Sequence, residues 1–144
     1  MIRSALPGDR QFIHELSRAV FSEYTPRAGA RTTEMTDAEH ALTFVAESRG
    51  VAVGFAVLVA ARPTAHLDAI AVTERARGRG VGRELLARIE AEARARGAAG
   101  LGLYTADCNL AALDLFFRSG FSIVERRPRF YARGQAAVRM EKAL

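Results

Sequence analysis

The clearest rhythm in the chain lies between residues 81 and 97, where Val81, Leu85, Leu86, Ile89 and Ala93 recur at helical spacing and Gly97 follows as a stop. This pattern predicts a helix over 81 to 96, with Glu84/Arg88, Glu90/Arg94 and Glu92/Arg96 as i,i+4 pairs on its wet face. Upstream, Thr64 to Val72 alternates like a strand. Val51 to Ala61 is apolar on both faces and pairs as a hairpin with Thr43 to Ser48 across Arg49-Gly50. Gly54 inside that apolar run marks a bulge or a close backbone approach.

The ends of the chain are shorter in period. Residues 1 to 6 read as a strand, Asp9 as the cap of a helix carrying Phe12, Ile13, Leu16 and Val20, and Thr36-x-x-Glu39 as a capping box opening a short second helix. Residues 22 to 35 show no dominant period. After Gly97 come a strand over 99 to 105 and a helix over 110 to 118 capped by Asn109, with Leu113, Phe116 and Phe117 as its apolar seam. Phe121 to Glu125 and Ala136 to Ala143 form a last antiparallel pair joined by an arginine-rich arm containing Phe130 and Tyr131. The order β, α, α, β, β, β, α, β, α, β, β requires helices packed on a mixed sheet, an α+β architecture.

Composition narrows this picture. With 144 residues and 49% hydrophobic content, the chain is expected to form one domain over 1–144 with a single core. Cys108 is the only cysteine, so no internal disulfide forms, and His14, His40 and His66 show no ligand spacing for a metal. A reducing compartment, the cytoplasm, fits this usage. The N-terminus has no apolar signal core, and the longest apolar run falls well below the roughly twenty residues of a membrane helix. Net charge is +5, and Lys142 is the sole lysine among the cations. A basic balance fits a phosphate-bearing ligand or nucleic acid.

The arginines concentrate at one place. Between the strand ending at Val72 and the helix starting at Val81, Arg75, Arg77, Arg79 and Arg83 surround Gly78, Gly80 and Gly82. Glycines let a ligand lie against the backbone, and the amides of residues 78 to 83, with a helix start behind them, suit a diphosphate. A P-loop needs Lys and then Ser or Thr after its last glycine, where this chain has Arg83 and Glu84. A dinucleotide fingerprint needs a glycine at 83 and an acid about twenty residues on, at the end of a second strand. The remaining pattern, Arg77-x-x-Gly80-x-Gly82 between strand and helix, resembles the acyl-CoA pyrophosphate loop of the GNAT superfamily of N-acyltransferases. Asn109-x-x-Ala112-x-x-Leu115-Phe116-x-x-x-Gly120-Phe121 is similar to that family's second signature. Phe116 stands where most members carry a tyrosine that protonates the leaving thiolate.

The resemblance implies a mixed sheet of six to seven strands flanked by about four helices, with the fourth and fifth strands splayed to admit pantetheine. It implies acetyl-CoA as co-substrate, no metal, an amine acceptor, and a monomer or homodimer acting away from membranes and nucleic acid. Cofactor contacts carried over are Arg77, Gly78, Arg79, Gly80, Val81, Gly82 and Arg83 at the phosphates, Ile70, Ala71 and Val72 near the thioester carbonyl, and Asn109, Ala112 and Phe116 along the pantetheine. His66 falls, without a gap, where several members place a catalytic glutamate. His66 and Asp68 share one strand face, so an imidazole beside a carboxylate can serve as base or proton relay. Tyr131, in the arm that covers the acceptor in related enzymes, is the third catalytic candidate. Tyr104, Cys108 and water are alternatives to it as acid. The implied activity is transfer of acetyl to a primary amine of a small molecule, amino acid or protein. A non-catalytic acyl-CoA sensor or a basic nucleic-acid-associated module stays open beside it.

Overall fold

A computed structural model describes residues 1–144. Its elements are β1 (Ile2–Ser4), α1 (Arg10–Phe21), α2 (Ala28–Asp37), β2 (Ala41–Ser48), β3 (Val51–Val59), β4 (Thr64–Val72), α3 (Val81–Ala95), β5 (Gly100–Ala106), α4 (Leu110–Arg118), β6 (Ser122–Arg127) and β7 (Ala137–Ala143), with short 3₁₀ turns at Pro7–Asp9 and Glu74–Ala76. The strands make one seven-stranded sheet in the order β1-β2-β3-β4-β5-β7-β6. All neighbours are antiparallel except β4 and β5, which run parallel.

That one parallel junction positions the site. β4 and β5 pair only from Thr64↔Gly100 to Leu67↔Leu103, so beyond Leu67 the two strands diverge and the facing backbone edge of β4 has no strand partner. β5 continues on its other side in register with β7, from Gly100↔Ala143 to Ala106↔Ala137. The sheet is therefore intact at one end and open at the other, where the glycine turn begins.

Two apolar clusters occupy the two faces. The larger contains Phe44, Leu58, Leu67, Leu85, Leu86, Ile89, Leu103, Phe116, Phe121 and Met140 and lies under α3 and α4. The smaller joins Ile13 and Leu16 of α1 to Val45, Phe55, Val57, Ala69 and Ala71. Along β4 the side-chain parity changes between them: Ala65 and Leu67 belong to the larger cluster, Ala69 and Ala71 to the smaller. The cause is a bulge at Asp68, since Leu58 pairs with Leu67 and Val57 with Ala69. Bulges re-aim side chains and recur beside active sites.

Several sequence expectations need correction. The second helix spans Ala28–Asp37 and ends where Thr36-x-x-Glu39 was expected to open one. Thr36 Oγ1 donates to the Thr33 carbonyl at 2.7 Å, inside the helix, instead of capping a new one. Asp9 has helical backbone angles and no cap bond to α1. Its carboxylate accepts from the Leu6 amide at 2.7 Å and from Arg3 at 2.7 and 2.9 Å. The Arg3 guanidinium is the main reason the Asp9 carboxyl is held below its ordinary range. Glu90 is not on a wet face: it is buried and meets Lys142 Nζ at 2.6 Å, tying α3 to β7. Arg94 is left at 4.0 Å from it, and Arg88 pairs with Glu92 at 3.1 Å. On α4, Phe116 is buried but Phe117 is exposed. Gly54 sits beside a second bulge, and a Cβ there would come within 2.9 Å of the Ala71 carbonyl oxygen, so both of its expected roles are present.

Candidate active site

The glycine turn is shaped for close approach. Gly78 and Gly80 have φ of +75° and +82°, and a Cβ at either would meet nothing within 4 Å. Both therefore combine a left-handed backbone with open space, the arrangement a cradle for an anion needs. Gly80 is also the residue from which α3 starts. Gly82 has a different role, because a Cβ there would stand 3.2 Å from Leu115 Cδ2, so the missing side chain lets α3 and α4 pack. Arg77, Arg79 and Arg83 are exposed around the turn, and Arg77 Nε points back to the Val72 carbonyl at 3.4 Å.

The β4–β5 gap opens beside this turn. Ile70 and Val72 pack on the larger cluster and Ala71 lies in the smaller, so none of the three turns its side chain into the gap; Ala71 turns its backbone to β3, which leaves Ile70 and Val72 to present backbone to the gap. On the opposite wall, Asn109 Oδ1 accepts from the Ala112 amide at 3.2 Å and caps α4 as the sequence predicts. Ala112 is partly buried beneath it. Phe116 is turned into the core, where it meets Phe121 edge-on at 5.8 Å.

A cleft of about 610 Å³ opens on the α1–α2 side of the gap. Phe21, Tyr24, Met35, Tyr104, Phe130 and Tyr131 supply most of its apolar surface, and His66, Asp68, Asn109 and Arg31 its polar one. The aromatic rings form a connected chain: Tyr24 to Tyr131 at 5.6 Å, Tyr131 to Phe130 at 4.9 Å, Phe130 stacked on Tyr104 at 5.4 Å, and Tyr104 to His66 at 5.8 Å. Such contacts add to burial, so the arm from 128 to 136 is held as a strap over the cleft. Backbone bonds fix it further, with the Ala132 amide donating to the Tyr24 carbonyl at 3.0 Å and Gln135 Nε2 to the Glu23 carbonyl at 2.9 Å.

Burial pushes the Tyr131 hydroxyl up to about 12, with Cys108 adding to the effect. Tyr24 is pushed to about 12 as well, by burial first and then by Glu23 and Cys108. Both phenols hold their protons at neutral pH and can donate. His66 Nδ1 lies 2.8 Å from Asp68 Oδ1, so the structure brings together the two residues that the strand pattern placed on one face.

Tyr24, Arg139 and Glu141 have no counterpart in the sequence reading. Arg139 of β7 brings Nη1 to 3.2 Å from His66 Nε2, while its Nε donates to Glu141 Oε2 at 3.0 Å. To reach His66 it crosses β5 over Gly102, where a Cβ would lie only 2.5 Å from Arg139 Nη2. A glycine in mid-strand on the face of His66 is the one sequence signal that could have indicated a crossing side chain. No group of three or more His, Cys, Asp or Glu side chains is placed to hold a metal ion.

The sheet is opened at a parallel junction, and a glycine turn and an aromatic cleft both border that opening. The family model described as acetyltransferase (GNAT) family matches residues 10–121, and the chain belongs to that family. No curated protein matches it in sequence. Among solved structures it is similar to Ard1 from Thermoplasma volcanium, with a TM-score of 0.88 and 24% identity, covering 100% of this chain and 97% of that one. It is also similar to the ribosomal-protein-alanine N-acetyltransferase from Brucella melitensis (TM-score 0.81, 26% identity, 100% and 99% covered). A third, the Salmonella typhimurium acetyltransferase yncA solved with its cofactor acetyl-CoA, has a TM-score of 0.84 at 24% identity, with 100% and 93% covered.

Proposed function

We propose that the chain is an N-acetyltransferase that moves an acetyl group from acetyl-CoA to a primary amine by direct attack, with both substrates bound at once. The observation that carries this is the gap itself: a cradle of open, left-handed glycines and a polar, aromatic cleft meet at the same splayed strands. Acetyl-CoA supplies an activated carbonyl and a thiolate that can leave with little assistance.

The chain's own groups do the rest. Backbone amides of residues 78 to 83, with Arg77, Arg79 and Arg83 and the N-terminal turn of α3 at Val81, bind the phosphates. The free edge of β4 at Ile70 and Val72, on either side of Ala71, donates to the thioester carbonyl, where charge develops. Asn109 and Ala112 shape the wall of the pantetheine channel; Phe116, which the family resemblance also placed there, is packed in the core behind them. The His66–Asp68 pair takes up the amine proton, directly or through water. Tyr131 holds a proton at its hydroxyl and stands in as acid where Phe116 has none to give.

The aromatic cleft, with one carboxylate in its floor, suits an amine borne on an apolar or small body. A cleft of this size takes a small molecule or the terminal residues of a peptide. No helix is long and apolar enough to cross a membrane. The single cysteine suits a reducing compartment, and the cytoplasm is the location that goes with this reading.

The test is release of free thiol from acetyl-CoA in the presence of a panel of small amines, amino acids and short peptides, with the acetylated product identified by mass. Amine-dependent thiol release is expected. Tight acetyl-CoA binding with no amine-dependent release would leave a sensor, and salt-sensitive retention on DNA would point to a nucleic-acid-associated module.

A further inference from the structure

We propose that Asp68, not His66, is the member of the pair that meets the acceptor amine, and that Arg139 and His66 are positioning residues that hold its carboxylate. This rests on the acetyl-transfer reading above and assigns the roles within it. The argument starts from donor and acceptor capacity. A guanidinium has five N–H donors and no acceptor. The 3.2 Å contact between Arg139 Nη1 and His66 Nε2 therefore requires Nε2 to present its lone pair. The neutral ring has one N–H, which must then be on Nδ1, and it donates to Asp68 Oδ1 at 2.8 Å.

The imidazole is thus filled at both ends. Its only basic lone pair faces β7 and is already used. Asp68 Oδ1 is occupied by the ring, but Oδ2 has no protein partner, and Asp68 lines the cleft. Of the pair, the free acceptor is the carboxylate. The amine proton passes to Oδ2 as the nitrogen bonds to the acyl carbon and the carbon–sulfur bond breaks, its electron pair leaving with sulfur.

Everything around Arg139 holds it in this role. Gly102 leaves the slot it crosses, Glu141 fixes Nε at 3.0 Å, and the Tyr104 ring lies 5.2 Å from its guanidinium carbon. Arg127 packs on the same ring at 5.1 Å and is itself engaged by Glu125 at 3.0 Å, so it does not compete for His66. A Cβ at 102 would overlap Nη2, so the guanidinium would have to shift from its place against His66.

The substitution His66→Gln separates the two roles. A glutamine amide has one face that donates and one that accepts, so it can keep the chain from Arg139 to Asp68 but cannot take a proton as a base. We expect His66→Gln to retain kcat/KM within about threefold, and His66→Ala and Arg139→Met each to lose about tenfold. Asp68→Asn should lose about a hundredfold. Residues acting as one chain couple, so the His66→Ala, Arg139→Met double variant should also lose about tenfold, well short of the product. Gly102→Ala should reproduce Arg139→Met with the charge still present, and acetyl-CoA affinity should be unchanged throughout.

Nitrogen-15 NMR of the His66 ring gives a readout that needs no turnover. The expected spectrum has Nδ1 protonated and Nε2 bare in the unmodified chain, and loses that fixed tautomer in Arg139→Met and Gly102→Ala. A proton on Nε2, an Arg139→Met variant more active than the parent, or a His66→Gln variant as impaired as Asp68→Asn would overturn the proposal. If no amine is ever acetylated, the acetyl-transfer reading fails, while the tautomer spectrum still decides the hydrogen-bond chain.

Discussion

The two ends of the β4–β5 gap are made of different material. At the start of α3 the chain offers backbone: Gly78 and Gly80 in left-handed conformations, with no neighbour where a side chain would be, and a helix start behind them. At the cleft it offers side chains drawn from distant positions: Tyr24 after α1, His66 and Asp68 on β4, Tyr104 on β5, Phe130 and Tyr131 in the arm, Arg139 on β7. A backbone site depends on the fold and a few glycines, so it can stay constant while everything else varies. A side-chain site can be rewritten one residue at a time. On the function proposed above, this division lets the donor site stay fixed while the acceptor site varies.

The comparison breaks most sharply at the backbone end. Gly80→Asp forces a side chain into a φ of +82° and sets a negative charge where phosphate should lie. Calorimetry should find no acetyl-CoA binding, while a thermal melt shows the fold retained. Next in size is Tyr131→Phe, which should lower the rate about tenfold and leave acetyl-CoA affinity unchanged.

The pH dependence of that group has a definite sign. Because Tyr131 is raised to about 12, it should stay protonated and cause no alkaline loss of rate up to about pH 10. Above that, the unfolded chain ionises Tyr24 and Tyr131 before the folded one does, so thermal stability should decline with rising pH. That decline should be smaller in Tyr131→Phe.

Smaller effects should separate the two kinds of contact. Arg83→Ala removes one exposed cation and should weaken acetyl-CoA binding by about threefold to tenfold, more at low salt than at high. Asn109→Asp keeps an oxygen to accept from the Ala112 amide, so stability should change by no more than about a few tenths of a kcal/mol. It loses the amide donor toward the gap, and a modest drop in acetyl-CoA affinity is the expected result. Unchanged affinity would reduce Asn109 to a helix cap.

The same division decided how much could be read from the chain. β4 and α4 have the bounds their sequence patterns predict, α3 ends one residue short of its predicted bound, and the loop between β4 and α3, residues 73 to 80, is a local motif of eight residues. Local periodicity carries all of that. The acceptor side is non-local, and its key helix hides from periodicity. α2 buries Ala28, Gly29, Thr32 and Thr33, a stripe of small residues, not an apolar one. Gly29 lies so close to α1 that a Cβ would come within 2.8 Å of the His14 carbonyl oxygen. Close packing of this kind needs small residues, and a search for hydrophobic spacing passes over them. Glu90 misled for a related reason: its partner Lys142 is 52 positions away at the other end of the chain, while its i,i+4 neighbour was in plain view. Arg139 is 73 positions from His66, and only Gly102 between them left a trace.

The central claim is that the backbone end and the side-chain end must be filled together before acetyl moves. Initial rates measured over a grid of acetyl-CoA and amine concentrations test it most directly. Double-reciprocal plots should intersect, as they do when both substrates bind before product leaves, and Cys108→Ala should leave the pattern intact. Parallel lines, together with an acetyl group trapped on Cys108 in the absence of amine, would contradict the account and make the chain a two-step enzyme with a covalent intermediate.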